Sequence, residues 1–273
     1  MTILIIFCTV GFLIEAKAFI LNQEKIDLTL HKNWPLVYHD ENCGRSKLPL
    51  ASKSIGGHNV DLGEYPWMAR LVYRSSRDDS ETGACGGSLI NKRYILTAAH
   101  CCLDDPKNTF GENPFANDIC LIRLIHDVEF TDYIQPVCLP SAIDNDEKNL
   151  YYLNMTVAGW GTMENFPQTR NPHTLQDVDV VVRPTEFCDV QLGMQFDWVS
   201  QICAGASEPS ISPCPGDSGG PLMYYNTTGG SGRYEVMGIV SGGYPCVYTN
   251  HEAHPGIYAR VSTAMPWILN SIH

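Results

Sequence analysis

The sequence predicts an all-β protein of antiparallel strands, and three observations lead there. Short runs rich in Val, Ile, Tyr and Thr recur between turns carrying Gly, Pro or Asn: WMARLVY, YILTAA, ICLIRL, LNMTVAGW, DVDVVVR, YEVMGIVSGG and GIYARV. Short strands with turn signals at such spacing belong to antiparallel sandwiches or barrels. A hydrophobic fraction of 44% over 273 residues suits one large packed domain or two small lobes. Helical patterning is confined to the end, where TAMPWILNSI reads as a terminal amphipathic helix.

Taken in order, the chain opens with an apolar run from Ile3 to Ile14, followed by Ala16-Lys17-Ala18. This run is too short to span a bilayer comfortably, and the small-x-small triplet predicts a secretory signal peptide over residues 1–18. No later segment has the length and apolarity of a membrane anchor, so no membrane partner is expected. Residues 19–53 are polar and mixed, with Pro35, Pro49 and one cysteine, Cys43. They predict a pro-segment, and residues 54–273 the main domain. Eleven cysteines point to an oxidising compartment. Cys8 leaves with the leader, and the ten that remain suffice for five bridges. With no CxxC pair anywhere, no metal site and no cofactor are expected. Asn154 in NMT and Asn226 in NTT are N-glycosylation sequons. The net charge of −12 argues against a nucleic-acid partner, which requires a basic face. Its plain reading is solubility.

The chemistry begins with CPGDSGGPL, Cys214 to Leu222. A serine flanked by glycines sits where the backbone turns sharply, exposing its hydroxyl and letting neighbouring N–H groups converge on one point. An acyl-transfer nucleophile requires this: Ser218 attacks, and the N–H groups of Gly216 and Ser218 hold the oxyanion. Alone, the phrase also reads as a glycine-rich turn. LTAAHC brings His100, and NDICLIRL brings Asp118. A lone His is usually structural and a lone Asp before an apolar strand is usually a turn residue. Three such phrases in the order His, Asp, Ser rarely coincide by chance. Serine is too weak an acid to ionise unaided, so His must take its proton. A buried carboxylate must then fix the His tautomer and stabilise the imidazolium.

These residues, with SIGGHNV, GEYPWMARL, CGGSLI, PVCLP, VAGWGT, ICAG, GIVSGG and PGIYARV, resemble the secreted serine proteases of the chymotrypsin/trypsin family over Ser54 to His273. The resemblance implies two packed antiparallel β-barrels with a C-terminal helix and the site between them. It also implies the bridges Cys85–Cys101, Cys188–Cys203 and Cys214–Cys246. Cys43 resembles the pro-segment cysteine that pairs with the one in PVCLP, here Cys138, as in arthropod clip-type proteases, although the clip module's own cysteines are absent. Cys102 and Cys120 remain, each two positions after a proposed catalytic residue. Because His and Asp must touch, a Cys102–Cys120 bridge is expected; the alternative is two free thiols.

In this family, cleavage frees an α-amine that pairs with the Asp before the catalytic Ser, here Asp217. The resemblance implies a cut after Lys53 and hence an upstream trypsin-like activating protease. The new terminus is Ser54 where the family has an apolar residue, a loss of roughly 2 kcal/mol of burial. The resemblance implies that Ser212 stands at the base of the specificity pocket, where trypsin-like members have Asp, and that Gly243 and Gly256 match its open walls. A deep uncharged slot suits Phe, Tyr, Trp or Leu; cleavage after Arg or Lys is the alternative. Gly242 replaces the family's usual Trp and removes an apolar wall. Protein substrates and protein protease inhibitors are the expected partners, outside the cell.

One departure dominates. Asp118 follows His100 by only eighteen positions. The usual spacing is about 45, so about 27 residues are missing, the length of about two strands with their connections. The N-terminal barrel is expected to lack those strands and the calcium-binding loop usually found there. Three readings follow: an active endopeptidase with a trimmed barrel, a protease-like protein of weak or no activity acting by binding, or a spliced or misassembled form of a longer active enzyme.

Overall fold

The computed structural model describes residues 26–37, 42–47, 58–102, 115–143, 146–161, 174–193, 195–206, 217–228, 232–243 and 255–273. Thirteen strands follow in chain order: β1 (Ile26–Asp27), β2 (His58–Asn59), β3 (Met68–Arg74), β4 (Glu81–Leu89), β5 (Tyr94–Thr97), β6 (Cys120–Arg123), β7 (Ala142–Ile143), β8 (Asn154–Gly159), β9 (Gln176–Val182), β10 (Gln201–Ala206), β11 (Pro221–Asn226), β12 (Arg233–Gly243) and β13 (Gly256–Arg260). Helix α1 (Thr185–Leu192) lies between β9 and β10, and α2 (Val261–Ser271) ends the chain.

The C-terminal unit is a closed antiparallel barrel. Its strands run β10-β13-β12-β11-β8-β9, and a β9–β10 pairing seals the ring. The alternation along β9 places Val180 and Val182 inside, against Met155, Val157, Ile202, Leu222 and Val240. Among the described residues ring closure gives each of the six strands a neighbour on both sides, and β2 pairs with the start of β9 beside β10.

The N-terminal unit is an antiparallel sheet in the order β3-β4-β5-β6, and among the described residues it does not close. This is the shortfall expected from the short His–Asp segment. The register shows why the shortening is tolerated. Strand β5 pairs directly with β6, with Thr97 opposite Cys120. Two strands that are already neighbours are therefore joined by the shortened link, and the residues just beyond the pair, at His100 and Asp118, fall at the same end of the sheet.

A continuous apolar core joins the two units. It runs from Leu96 and Ile122 of the sheet through Met223, Val236 and Ile239 of the barrel to Met265, Ile268 and Leu269 of α2. The segment expected to be a pro-segment contributes more than a tether. Leu28, Trp34 and Val37 are buried in this core, and Ile26 pairs with Ile143 through β1 and β7. The Asn33 amide donates to the Leu269 and Ile272 carbonyls at 2.8 and 3.1 Å, satisfying groups that the end of α2 leaves open. The Cys43–Cys138 disulfide then fastens the segment to the body.

Candidate active site

His100 sits on a tight 3-10 turn, Ala99–Cys101, immediately after β5. Two disulfides and a hydrogen bond from Tyr73 help to hold that turn. Cys85–Cys101 ties it to β4, Cys102–Cys120 ties its far end to β6, and the Tyr73 hydroxyl donates to the Cys101 carbonyl at 2.5 Å. Asp118 lies just before β6 and is only 1% exposed. Its Oδ1 accepts the His100 backbone N–H at 2.9 Å, and its Oδ2 lies 2.7 Å from His100 Nδ1. The Ser241 hydroxyl, from β12 of the barrel, donates to the same Oδ2 at 2.5 Å. A carboxylate only accepts, so Nδ1 carries the proton of this pair and Nε2 keeps its lone pair for another task.

Ser218 lies in a turn closed by the Gly220 N–H donating to the Asp217 carbonyl at 2.9 Å. The turn is held between the two units. The Gly86 N–H of β4 donates to the Ser218 carbonyl at 2.7 Å, and the Gly219 N–H donates to the Val240 carbonyl of β12 at 2.8 Å. Gly219 has φ +78°, and a Cβ there would stand 2.2 Å from Thr97 Oγ1 and 3.3 Å from the Ala98 nitrogen. Only glycine fits, for both backbone and space. The serine turn therefore rests on the stretch of β5 that leads into His100.

The Asp217 side chain turns away from that contact. Its Oδ1 accepts the Gly161 N–H at 2.7 Å. A Cβ on Gly159 would meet Oδ1, and one on Gly161 would meet Oδ2, so the glycines of VAGWGT leave room for this carboxylate. The Tyr258 phenol is wholly buried, which pushes its pKa up, and the Asp217 charge pushes it further. Tyr258 Oη has no hydrogen-bond partner among the described residues and lies 3.1 Å from where a Cβ of Gly256 would be.

Gly243 and Gly256 face each other across β12 and β13, and a Cβ on Gly243 would stand 3.4 Å from the Gly256 Cα. The space above Gly242 is filled. A Cβ there would fall 2.3 Å from the Phe115 ring. The space that a side chain at position 242 would take is thus occupied by a residue three places before Asp118. Lys53, Ser54, Ser212, Gly216, Cys214 and Cys246 lie outside the described residues, as do residues 1–18. Cys188–Cys203 links α1 to β10. Asn154 is exposed at the start of β8, whereas the half-buried Asn226 donates through its amide to Glu235 at 3.1 Å. Cys85, Cys101 and His100 bring three donor atoms within 4.8 Å of one another, but both sulfurs are spent in a disulfide, leaving no thiolate for a metal.

Three features were missed by the sequence reading: the Ser241 hydroxyl, the Gly159–Gly161 cradle and Phe115. The sequence reading gave the Ser241 hydroxyl no role. VAGWGT was recognised as a motif, and its two glycines were the available signal for a close approach.

The Trypsin family model matches residues 54–115 and 105–268. The chain belongs to the trypsin family. The two matched segments meet between His100 and Asp118, where the chain is short. Among curated proteins, this trypsin-family chain is 32% identical to Melanization protease 1 of Drosophila melanogaster, covering 85% of this chain and 68% of that protein. It is 30% identical to the Clotting factor G beta subunit of Tachypleus tridentatus, covering 84% and 82%. It is 32% identical to Phenoloxidase-activating factor 3 of Holotrichia diomphalia, covering 81% and 72%. Among the described residues, no helix is long and apolar enough to cross a membrane.

Proposed function

We propose that the protein is a secreted serine endopeptidase made as a zymogen. The observation that carries this reading is the network on Asp118, whose buried carboxylate takes the His100 ring, the His100 backbone N–H and the Ser241 hydroxyl at once. It leaves His100 Nε2 as the base. His100 removes the Ser218 proton as Ser218 Oγ attacks the scissile carbonyl. The N–H groups of Gly216 and Ser218 hold the resulting oxyanion. His100 then returns the proton to the leaving amine. Water repeats the sequence on the acyl-enzyme, and Asp118 keeps the imidazole oriented throughout.

In this reading residues 1–18 are removed on secretion and 19–53 form the pro-segment. Four disulfides in the described residues suit an oxidising compartment. Cleavage after Lys53 frees the Ser54 amine, which pairs with Asp217 and orders the oxyanion hole. The buried strap and Cys43–Cys138 keep the pro-segment attached afterwards. The slot walled by Gly243 and Gly256, with uncharged Ser212 at its base, takes a large apolar or aromatic side chain. The names of the relatives, among them a melanization protease and a clotting-factor subunit, favour a protein substrate within a protease cascade. Asn154 is the better exposed of the two sequons for a glycan.

The test is active-site labelling. A fluorophosphonate probe is expected to modify Ser218 after cleavage at Lys53, and His100→Ala is expected to abolish it. A second reading, a protease-like binding protein of little or no activity, is favoured by an N-terminal sheet that does not close among the described residues. A folded, cleaved sample that takes up no probe supports this second reading.

A further inference from the structure

The short turn that carries His100 is gripped on both sides of that residue. Within the turn, the Cys101 and Cys102 N–H groups donate to the Ala98 and Ala99 carbonyls at 3.2 and 2.9 Å. A single 3-10 turn leaves the carbonyls at its end without partners of its own. The Cys101 carbonyl, directly after His100, takes its hydrogen bond from the Tyr73 hydroxyl at 2.5 Å. On the other side, the His100 backbone N–H donates to Asp118 Oδ1 at 2.9 Å. The backbone around His100 is therefore anchored once to the carboxylate its ring also uses, and once to a phenol.

Tyr73 reaches the turn because of its register. It lies opposite Gly83 in the β3–β4 pair, and Leu71, two places earlier, lies opposite Cys85. Positions two apart share a face of the sheet, so Tyr73 and Cys85 project to the same side. Both end on Cys101, Cys85 through its sulfur and Tyr73 through its hydroxyl. The two links do different things. A disulfide restrains a side chain, whereas a hydrogen bond on the carbonyl restrains the peptide plane and with it the rotation of the turn. The Tyr73 ring is half-buried and packs against the core that joins the two units. Burial pushes the phenol's pKa up, so the hydroxyl remains a donor across neutral pH.

We propose that Tyr73 is a positioning residue for the triad: its hydroxyl sets the rotation of the His100 turn and keeps His100 Nε2 aimed at Ser218. This rests on the endopeptidase reading and adds to it a residue that touches neither substrate nor the reacting atoms. It also ties the base to the border of the sheet, because β3 has one neighbouring strand among the described residues. A base turned slightly away from its nucleophile slows the chemical step and leaves substrate binding as it was.

The test uses the cleaved full chain. Tyr73→Phe keeps the ring and removes only the donor. It is expected to lower kcat about tenfold with KM nearly unchanged. It is also expected to shift the downfield proton NMR resonance of His100 Nδ1–H, which reports the bond to Asp118 directly. Tyr65→Phe is the control. It removes another buried phenol's bond, to Asp177 at 2.6 Å, and is expected to lower Tm at least as much while leaving kcat and the resonance in place. Replacing Tyr73 by p-aminophenylalanine, which keeps both ring and donor, is expected to hold kcat within about twofold of the wild type. That variant carries the test if Tyr73→Phe does not fold. A Tyr73→Phe protein that loses Tm but keeps kcat and the resonance would mean that the hydroxyl only stabilises, and would overturn the proposal. So would a folded p-aminophenylalanine protein about ten times slower than the wild type, since the donor is then not what matters. Failure of the endopeptidase reading is seen separately, as a wild-type sample that takes up no fluorophosphonate. The turnover measurements then fall away, and the resonance in wild type and Tyr73→Phe alone decides whether the hydroxyl sets the His100–Asp118 pair.

Discussion

In the C-terminal barrel each of β8 to β13 has a hydrogen-bonded neighbour on both sides, whereas in the N-terminal sheet β3 and β6 have one each among the described residues. The two units also share out the proposed site. The barrel contributes Ser218 and Ser241, and the sheet contributes His100 and Asp118. The residues that most need rigid placement thus stand on the less complete half. That half is reinforced covalently, because two of the four described disulfides converge on the His100 turn. Cross-links there stand in for the order that a closed ladder supplies elsewhere.

The largest effects should come from the Asp118 carboxylate, where the sheet's His100 and the barrel's Ser241 meet. Asp118→Asn is expected to lower kcat about 10⁴-fold with little change in Tm, because the wrong His100 tautomer results. Ser241→Ala, which removes only the barrel's donor to Asp118, is expected to cost about tenfold in kcat/KM, the worth of one hydrogen bond. An equal loss in both variants would make the barrel's donor as important as the carboxylate itself.

The disulfides give a sharper contrast. Cys102–Cys120 and Cys188–Cys203 close separations of 18 and 15 residues, so the loss of unfolded-state restraint should be nearly the same, about 3 kcal/mol each. Only the first flanks His100 and Asp118. Replacing both its cysteines by serine is expected to reduce kcat/KM by a further tenfold or so, since small displacements of a catalytic pair are costly. Serine replacements at Cys188 and Cys203 are expected to change denaturation midpoints far more than turnover. Equal losses of activity in the two would break the comparison.

A smaller difference should appear in native-state hydrogen exchange. Amides of β6 are expected to open at lower free energy than those of β13, which is paired on both sides. Uniform protection would show that the sheet borrows its stability from the shared core.

The smallest effect concerns alkaline pH. Burial pushes the Tyr65, Tyr234 and Tyr258 phenols up; the Asp177 carboxylate, which accepts from Tyr65 at 2.6 Å, adds to the rise at Tyr65. A folded pKa above the unfolded value gives stability that is full below the unfolded phenol pKa of about 10 and is lost as pH rises beyond it. Urea midpoints are therefore expected to hold between pH 8 and about 9.5 and to fall above about pH 10.

Much of this was legible in the residues. Each proposed triad member sits inside a local phrase whose glycines, alanines or following strand dictate its backbone, and the eighteen-position gap announced an unclosed N-terminal sheet. The short His–Asp gap has a simple geometric cause, a direct β5–β6 pairing with Thr97 opposite Cys120. Other features were hidden by distance along the chain. Ser241 meets Asp118 across 123 positions, and no local pattern marks its hydroxyl as a donor. The strap of residues 26–37 looked merely polar because its buried anchors, Leu28, Trp34 and Val37, follow no period.

The sequence alone determined the all-β class, the family, the identity of the proposed chemical groups and the missing length, because these depend on residue type and short-range spacing. The tertiary structure decided which groups meet. Phe115 fills the space above Gly242, Asp217 lies in the Gly159–Gly161 cradle, and the N-terminal strap closes over α2. Such contacts are set by packing between distant segments, where shape and excluded volume select partners that no local pattern encodes.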